Sequence, residues 1–182
     1  MIKRCFGSSS EIYSYYHDYI WGKPVHDDRI LFKMLVLESF QAGLSFETIL
    51  KKEKILSMAF DDFDYQKVAN YDEEKINSIF LIDGMIKNRA KVRCTINNAK
   101  RFLEVIKEFG SFDNYIWHFT NYKTIDHHLK KLEDMPVSNE LSDEICKDMK
   151  RRGFKFIGTI IIYSYLQSIG IINDHLDDCI FR

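Results

Sequence analysis

The chain has 182 residues, with 26 Lys plus Arg set against 27 Asp plus Glu and a formal net charge of −1. That balance excludes a general electrostatic attraction to nucleic acid, so any DNA contact must come from a local basic face. Hydrophobic residues make up 46%, with only two Pro and eight Gly. This composition points to an all-α protein with a sizeable core, built as one domain or a main domain with a small annex.

No apolar run follows "MIKRCF" and no stretch is long enough to span a bilayer, so a cytoplasmic protein is expected. Its four Cys then read as thiols or metal ligands rather than disulfides. In chain order, Ser10 can cap a helix through "EIYSYYHDYIW", which Gly22 and Pro24 end. Asp27 can cap "DRILFKMLVLESFQA", with Gly43 as its stop, and Ser45 opens "FETILKKEKILSMAF". Asp64 opens "YQKVANY" and Asp72 opens "EEKINSIFLI" before Gly84. A longer helix, "NRAKVRCTINNAKRFLEVIKEF", runs to Gly110, and Ser111 caps "FDNYIWHF". The polar stretch Thr120 to Val137 reads as a loop, followed by "SNELSDEICKDMKRR" up to Gly153 and a buried helix "TIIIYSYLQSI" up to Gly170.

Three features carry chemistry. In "NDHLDDC", His175 and Cys179 are four apart, which on a helix puts them on one face. Two ligands do not hold zinc, but Cys5 and His17 near the other terminus complete a Cys₂His₂ set of the closed, structural kind. From spacing alone the alternative stays open that these are buried thiols and surface histidines. Cys94 and Cys146 sit beside apolar positions as core thiols, and His26, His118, His127 and His128 show no ligand pattern.

Glu38 falls on the apolar stripe of Leu31, Met34, Leu35 and Ala42. A carboxylate there is desolvated, at a cost of several kcal/mol unless it is paired. It is either half of a buried ion pair or a pocket group that recognises a ligand. Phe6, Tyr13, Tyr16, Trp21 and Phe46 could line such a pocket or simply pack in the core. Finally, "INSIFLIDGMIKNRAKVRCTINNA" reads as helix, short Gly-containing hairpin, helix, the second helix opening with Lys87, Arg89, Lys91 and Arg93. Such a hairpin can aim amides and a positive helix end at one phosphate; the alternative is a solvated helical turn.

In the combination "YYHDYIWG…LESFQAGLS…GFKFIG…NDH", with Arg4-Cys5 and the hairpin between, the sequence resembles the DNA-3-methyladenine glycosylase I family over nearly its whole length. The resemblance implies a helix-hairpin-helix DNA glycosylase fold, with the hairpin motif at about 72–105. It also implies a zinc-binding annex formed by residues 1–25 and 150–182, around a helical core at 26–149. It assigns one structural Zn²⁺ to Cys5, His17, His175 and Cys179. It makes Glu38 and Tyr16 the catalytic pair, with Phe6, Tyr13, Trp21 and Phe46 as further base-binding residues. Gly84, Lys87, Arg89 and Lys91 fall on the DNA-binding hairpin, and Leu44 is the expected apolar wedge.

The implied enzyme is a monomeric, monofunctional hydrolase that flips 3-methyladenine out of alkylated double-stranded DNA and leaves an abasic site, with no membrane partner. Two departures stand out: "GLSF" has Phe46 where the family usually has Trp, and "CFGSSS" offers only Phe6 where a Trp is common. The rivals are a non-catalytic reader of alkylated DNA and a zinc hydrolase, the latter disfavoured by four protein ligands.

Overall fold

A computed structural model describes residues 3–182. The chain is built of helices: α1 (Glu11–Tyr19), α2 (Asp28–Gln41), α3 (Phe46–Lys51), α4 (Glu53–Ala59), α5 (Tyr65–Val68), α6 (Glu73–Ile79), α7 (Arg89–Phe109), α8 (Phe112–Trp117), α9 (Glu140–Arg151) and α10 (Thr159–Ser168). Most helices are joined by short turns, and a longer connection links α8 to α9.

Most starts are where local chemistry places them. Asp27 accepts from the Ile30 amide at 2.9 Å, Asp72 from the Lys75 amide at 2.8 Å and Ser111 from the Asn114 amide at 2.9 Å. Each satisfies a donor that a helix start leaves unpaired. Asn139 and Ser142 form a reciprocal capping box on α9. Ser10 departs from expectation. Its hydroxyl makes no cap, and α1 ends at Tyr19 instead of running to Trp21. The single helix expected from Ser45 onward is broken at Lys52 into α3 and α4.

α2 is the central element. Leu31, Phe32 and every residue from Met34 to Phe40 are buried, as expected of a helix that is apolar nearly all round. It packs against α3, α7, α8 and α10. Asp28 in its first turn also accepts the Phe112 and Asp113 amides, at 3.0 and 2.8 Å, and so ties α2 to the start of α8. Phe102 of α7 stacks on Phe112 with centroids 3.9 Å apart. Among the described residues no helix is long and apolar enough to cross a membrane.

Two details bring the chain ends together. Residues 22–25 dock on the end of α10, the Gly22 amide donating to the Gln167 carbonyl at 2.9 Å and Val25 to Ile169 at 3.0 Å. A Cβ on Gly170 would lie 2.2 Å from the Lys23 carbonyl carbon, so only glycine permits this approach. The stretch 120–137 is not wholly irregular: β1 (Ile125–Asp126) pairs in parallel with β2 (Ile172–Asn173). "NDHLDDC" is not helical. After β2 it turns, so His175 and Cys179 converge across a tight turn and not along a helix face.

Candidate active site

Cys5, His17, His175 and Cys179 meet, their ligand atoms all within 4.8 Å of one another. The Cys179 sulfur is 3.5 Å from His175 Nδ1 and 3.7 Å from His17 Nε2, and the Cys5 sulfur is 3.7 Å from His175 Nδ1. Tetrahedral zinc, with bonds of about 2.3 Å to sulfur and 2.0–2.1 Å to nitrogen, sets sulfur and nitrogen about 3.5 Å apart. The spacing therefore fits a metal ion.

The tautomers agree with that reading. The Trp21 carbonyl can only accept, so His175 Nε2, 3.0 Å away, carries the proton and Nδ1 faces the cluster with its lone pair. His17 Nδ1 lies 2.8 Å from Asp18, and Arg4 forks onto the same carboxylate at 2.7–3.0 Å. That carboxylate–imidazole contact turns His17 Nε2 toward the sulfurs. Hydrogen bonds from Arg4 hold the Asp18 carboxyl below its ordinary range. Burial pushes His175 down to about 4 and the Cys5 thiol up to about 12. The imidazoles are thus neutral as ligands, while the thiols would release protons on binding a cation. The four residues could bind a metal ion and link the two ends of the chain.

Beside this cluster lies a cavity of about 300 Å³, lined by Phe6, Tyr13, Tyr16, Trp21, Glu38 and Phe46 together with Gln41, Met135, Ser164 and Gln167. All six predicted pocket residues are therefore brought together. Tyr16 and Phe46 form one aromatic wall, with centroids 4.8 Å apart. Phe6 touches Tyr13 at 5.2 Å and Trp21 at 4.7 Å in the other. The two sites share Phe6 and Trp21, whose rings also lie 4.9 Å from His17 and 4.6 Å from His175.

Glu38 decides the character of the cavity. It is only 2% exposed, and its Oε2 has no hydrogen-bond partner. No cation pairs with it among the described residues, which removes the ion-pair alternative. Burial pushes its carboxyl up to about 8, while a nearby Ser168 hydroxyl acts in the opposite sense. The lining holds one acid and no base. Such a site attracts a flat cation, whose charge would meet Glu38 and whose faces would meet aromatic rings.

The basic start of α7 behaves differently from expectation at one position. Lys87 is exposed. Arg89 is exposed but engages Glu73 at 3.1 Å and Asn77 at 2.6 Å, and Arg93 also pairs with Glu73. Lys91 is 5% exposed, with its ammonium on the Phe40 and Ala42 carbonyls at 2.6 and 2.7 Å. It caps the end of α2 and presents no charge to a phosphate, which corrects the DNA-binding expectation for this residue. Gly84 sits in the hairpin with φ +73°, and its carbonyl accepts from Lys52 at 2.6 Å. Leu44 projects from the loop between α2 and α3, 40% exposed.

Of the residues not anticipated, Ser164 and Gln167 did leave a signal. They are polar residues three apart on a largely apolar helix, hence on one face. Met135, in a polar loop, left none.

Residues 6–182 match the family described as methyladenine glycosylase. The DNA-3-methyladenine glycosylase of Haemophilus influenzae is 39% identical over 180 residues, which is 98% of this chain and 97% of its own. DNA-3-methyladenine glycosylase 1 of Escherichia coli is 38% identical, over 98% and 96%. The fold superposes on 3-methyladenine DNA glycosylase I of Staphylococcus aureus with a TM-score of 0.94 at 35% identity, over 97% of this chain and 94% of that one. A tyrosine-to-phenylalanine variant of 3-methyladenine DNA glycosylase I, solved in complex with 3-methyladenine, superposes with a TM-score of 0.95 at 34% identity, over 100% and 97%.

Proposed function

The chain belongs to the methyladenine glycosylase family and is a DNA-repair glycosylase, and on that premise we propose that its aromatic cavity receives 3-methyladenine flipped from alkylated duplex DNA. The observation that carries this is Glu38, a buried carboxyl pushed up to about 8, whose Oε2 has no hydrogen-bond partner, in an aromatic pocket without a base. Methylation at N3 makes the adenine cationic. Its entry favours ionisation of Glu38, and the pair is strong because both partners are desolvated. Tyr16 and Phe46 on one side, and Phe6, Tyr13 and Trp21 on the other, would add cation–π attraction of order 1 kcal/mol per ring.

The reaction asks little acid–base chemistry of the protein. The C1′–N9 bond breaks with its electron pair passing to the base, which neutralises the cation. Water adds at C1′ and releases a proton, leaving free 3-methyladenine and an abasic site. The pocket residues hold base and sugar in line for this step. Glu38 and Tyr16 contact the departing base, so they are the catalytic residues of the proposal. No lysine forms a covalent intermediate.

Leu44 is the wedge that fills the gap left by the flipped base. The hairpin around Gly84, with Lys87 and Arg89, holds the phosphate backbone, which positions the enzyme without reading sequence. Cys5, His17, His175 and Cys179 would hold one zinc ion, whose contribution when bound is a structural cross-link between the termini. The protein acts as a monomer in the cytoplasm, where its thiols stay reduced.

Incubation with methylated duplex DNA tests the reading: 3-methyladenine should be released by the wild-type protein and far more slowly by E38Q. DNA that is bound without base release would mark a non-catalytic reader instead.

A further inference from the structure

Part of the polar lining of the cavity comes from α10, through Ser164 and Gln167, and its chemistry is imposed from behind. Gln167 is 7% exposed and lines the cavity. Its Nε2 donates to Asp174 Oδ2 at 2.7 Å. Asp174 is fully buried. The same oxygen accepts the Tyr163 hydroxyl at 2.7 Å, and Oδ1 lies 2.6 Å from His127 Nδ1. A carboxylate satisfied in this way offers Gln167 acceptors only. Turning the amide over would press Oε1 against a carboxylate oxygen in a buried setting. The nitrogen therefore stays on Asp174, and the oxygen is left for the cavity, where no described residue donates to it.

We propose that Gln167 is a specificity-determining residue of this glycosylase: its locked Oε1 accepts one N–H of the exocyclic amino group of a 6-amino purine and repels the oxygen of a 6-oxo purine. The inference rests on the pocket being the base site. Glu38, which lines the same cavity, supplies the second acceptor. An amino group has two N–H bonds, and two acceptors satisfy both. Adenine presents such a donor where guanine presents an acceptor. Positive charge and bond lability do not separate 3-methyladenine from 3-methylguanine, because both are N3-methylated cations. The difference at position 6 does, through an acceptor that cannot rotate to become a donor. A site built to hydrogen-bond one group rejects its mismatch more strongly than an apolar pocket can.

The test compares release of 3-methyladenine and 3-methylguanine from methylated DNA by the wild type and Q167M, with a thermal melt of each. Q167M keeps the volume and removes the acceptor. The preference for 3-methyladenine in kcat/KM should fall by roughly ten- to hundredfold, the worth of one hydrogen bond to a charged donor. Binding of free 3-methyladenine and 3-methylhypoxanthine to the wild type reads the same discrimination without a variant, and should favour the amino base. Equal losses on both substrates in Q167M, undiminished discrimination in Q167M, or equal binding of the two free bases would each overturn the proposal. Wild-type protein that released neither base would overturn the glycosylase reading of the pocket as well.

Discussion

The Trp21 carbonyl accepts the Nε2–H of His175 at 3.0 Å, while the Trp21 ring, 4.6 Å from that imidazole, lines the aromatic cavity. One residue thus belongs to both the Cys/His cluster and the pocket. Closing the cluster fixes the backbone at Trp21, and with it one wall of the base site. Phe6, beside Cys5 and against the His17 ring, makes the same connection from the other terminus.

About one zinc ion per chain is expected. Replacing His175 by Ala should lower metal content and melting temperature together, because a structural site contributes folding free energy. It should also weaken base binding through Trp21. Metal analysis beside a thermal melt checks this, and unchanged zinc content in H175A would take His175 out of the site.

Glu38 makes stability fall with rising pH. Its folded value of about 8 lies above the ordinary 4.5, so between those values the folded state binds more protons than the unfolded one. Stability is then lost as pH rises through this window. The full effect is of order a few kcal/mol. E38Q removes it, so the variant should gain stability over the wild type at pH 9 and not at pH 4, while losing affinity for 3-methyladenine. Melts across that range decide the matter. A wild-type profile parallel to that of E38Q would mean that Glu38 ionises normally.

Phe46 and Tyr16 form one aromatic wall of the cavity, their ring centroids 4.8 Å apart. Trp offers a larger face for stacking on the flat base, so F46W should tighten binding of free 3-methyladenine by roughly 0.5–1 kcal/mol. Overpacking against Tyr16, typically about 1–3 kcal/mol, would subtract from the gain. F46A should weaken binding. Calorimetry across Phe, Trp and Ala settles it, and an Ala variant that binds as well as Phe removes position 46 from the base contact.

Lys91 and Lys87 should separate cleanly. K91M leaves the Phe40 and Ala42 carbonyls without their donor, which should cost roughly 1–3 kcal/mol of stability and leave the salt dependence of DNA binding unchanged. K87A should leave the melt alone and reduce the slope of log affinity against log salt by about one. A shallower salt slope in K91M would restore Lys91 as a phosphate contact.

How much of this was legible beforehand depends on range. The helix starts at Asp27, Asp72 and Ser111 could be read because a cap is a contact between residues three apart. Glu38 stood out because helical periodicity places it on an apolar stripe. The meeting of Cys5 and His17 with His175 and Cys179 came from family resemblance, since their spacing left the alternative of plain thiols open. The resemblance also carried too far at Lys91, whose charge is taken up by the carbonyls at the end of α2.

The sequence by itself determined a helical chain, a carboxylate on an apolar helix stripe and a Cys and a His near each end that could ligate a metal. Periodicity and capping are properties of neighbouring backbone, so they survive without knowledge of the fold. Only the tertiary structure decided that no cation among the described residues pairs with Glu38, that a turn and not a helix closes His175 onto Cys179, and that Asp174 holds the Gln167 amide in one orientation. Those outcomes depend on which groups arrive from distant segments. His127 reaches Asp174 from 47 residues away, and the Cys5 sulfur approaches His175 across 170. A buried polar group takes its character from the partners that packing delivers to it.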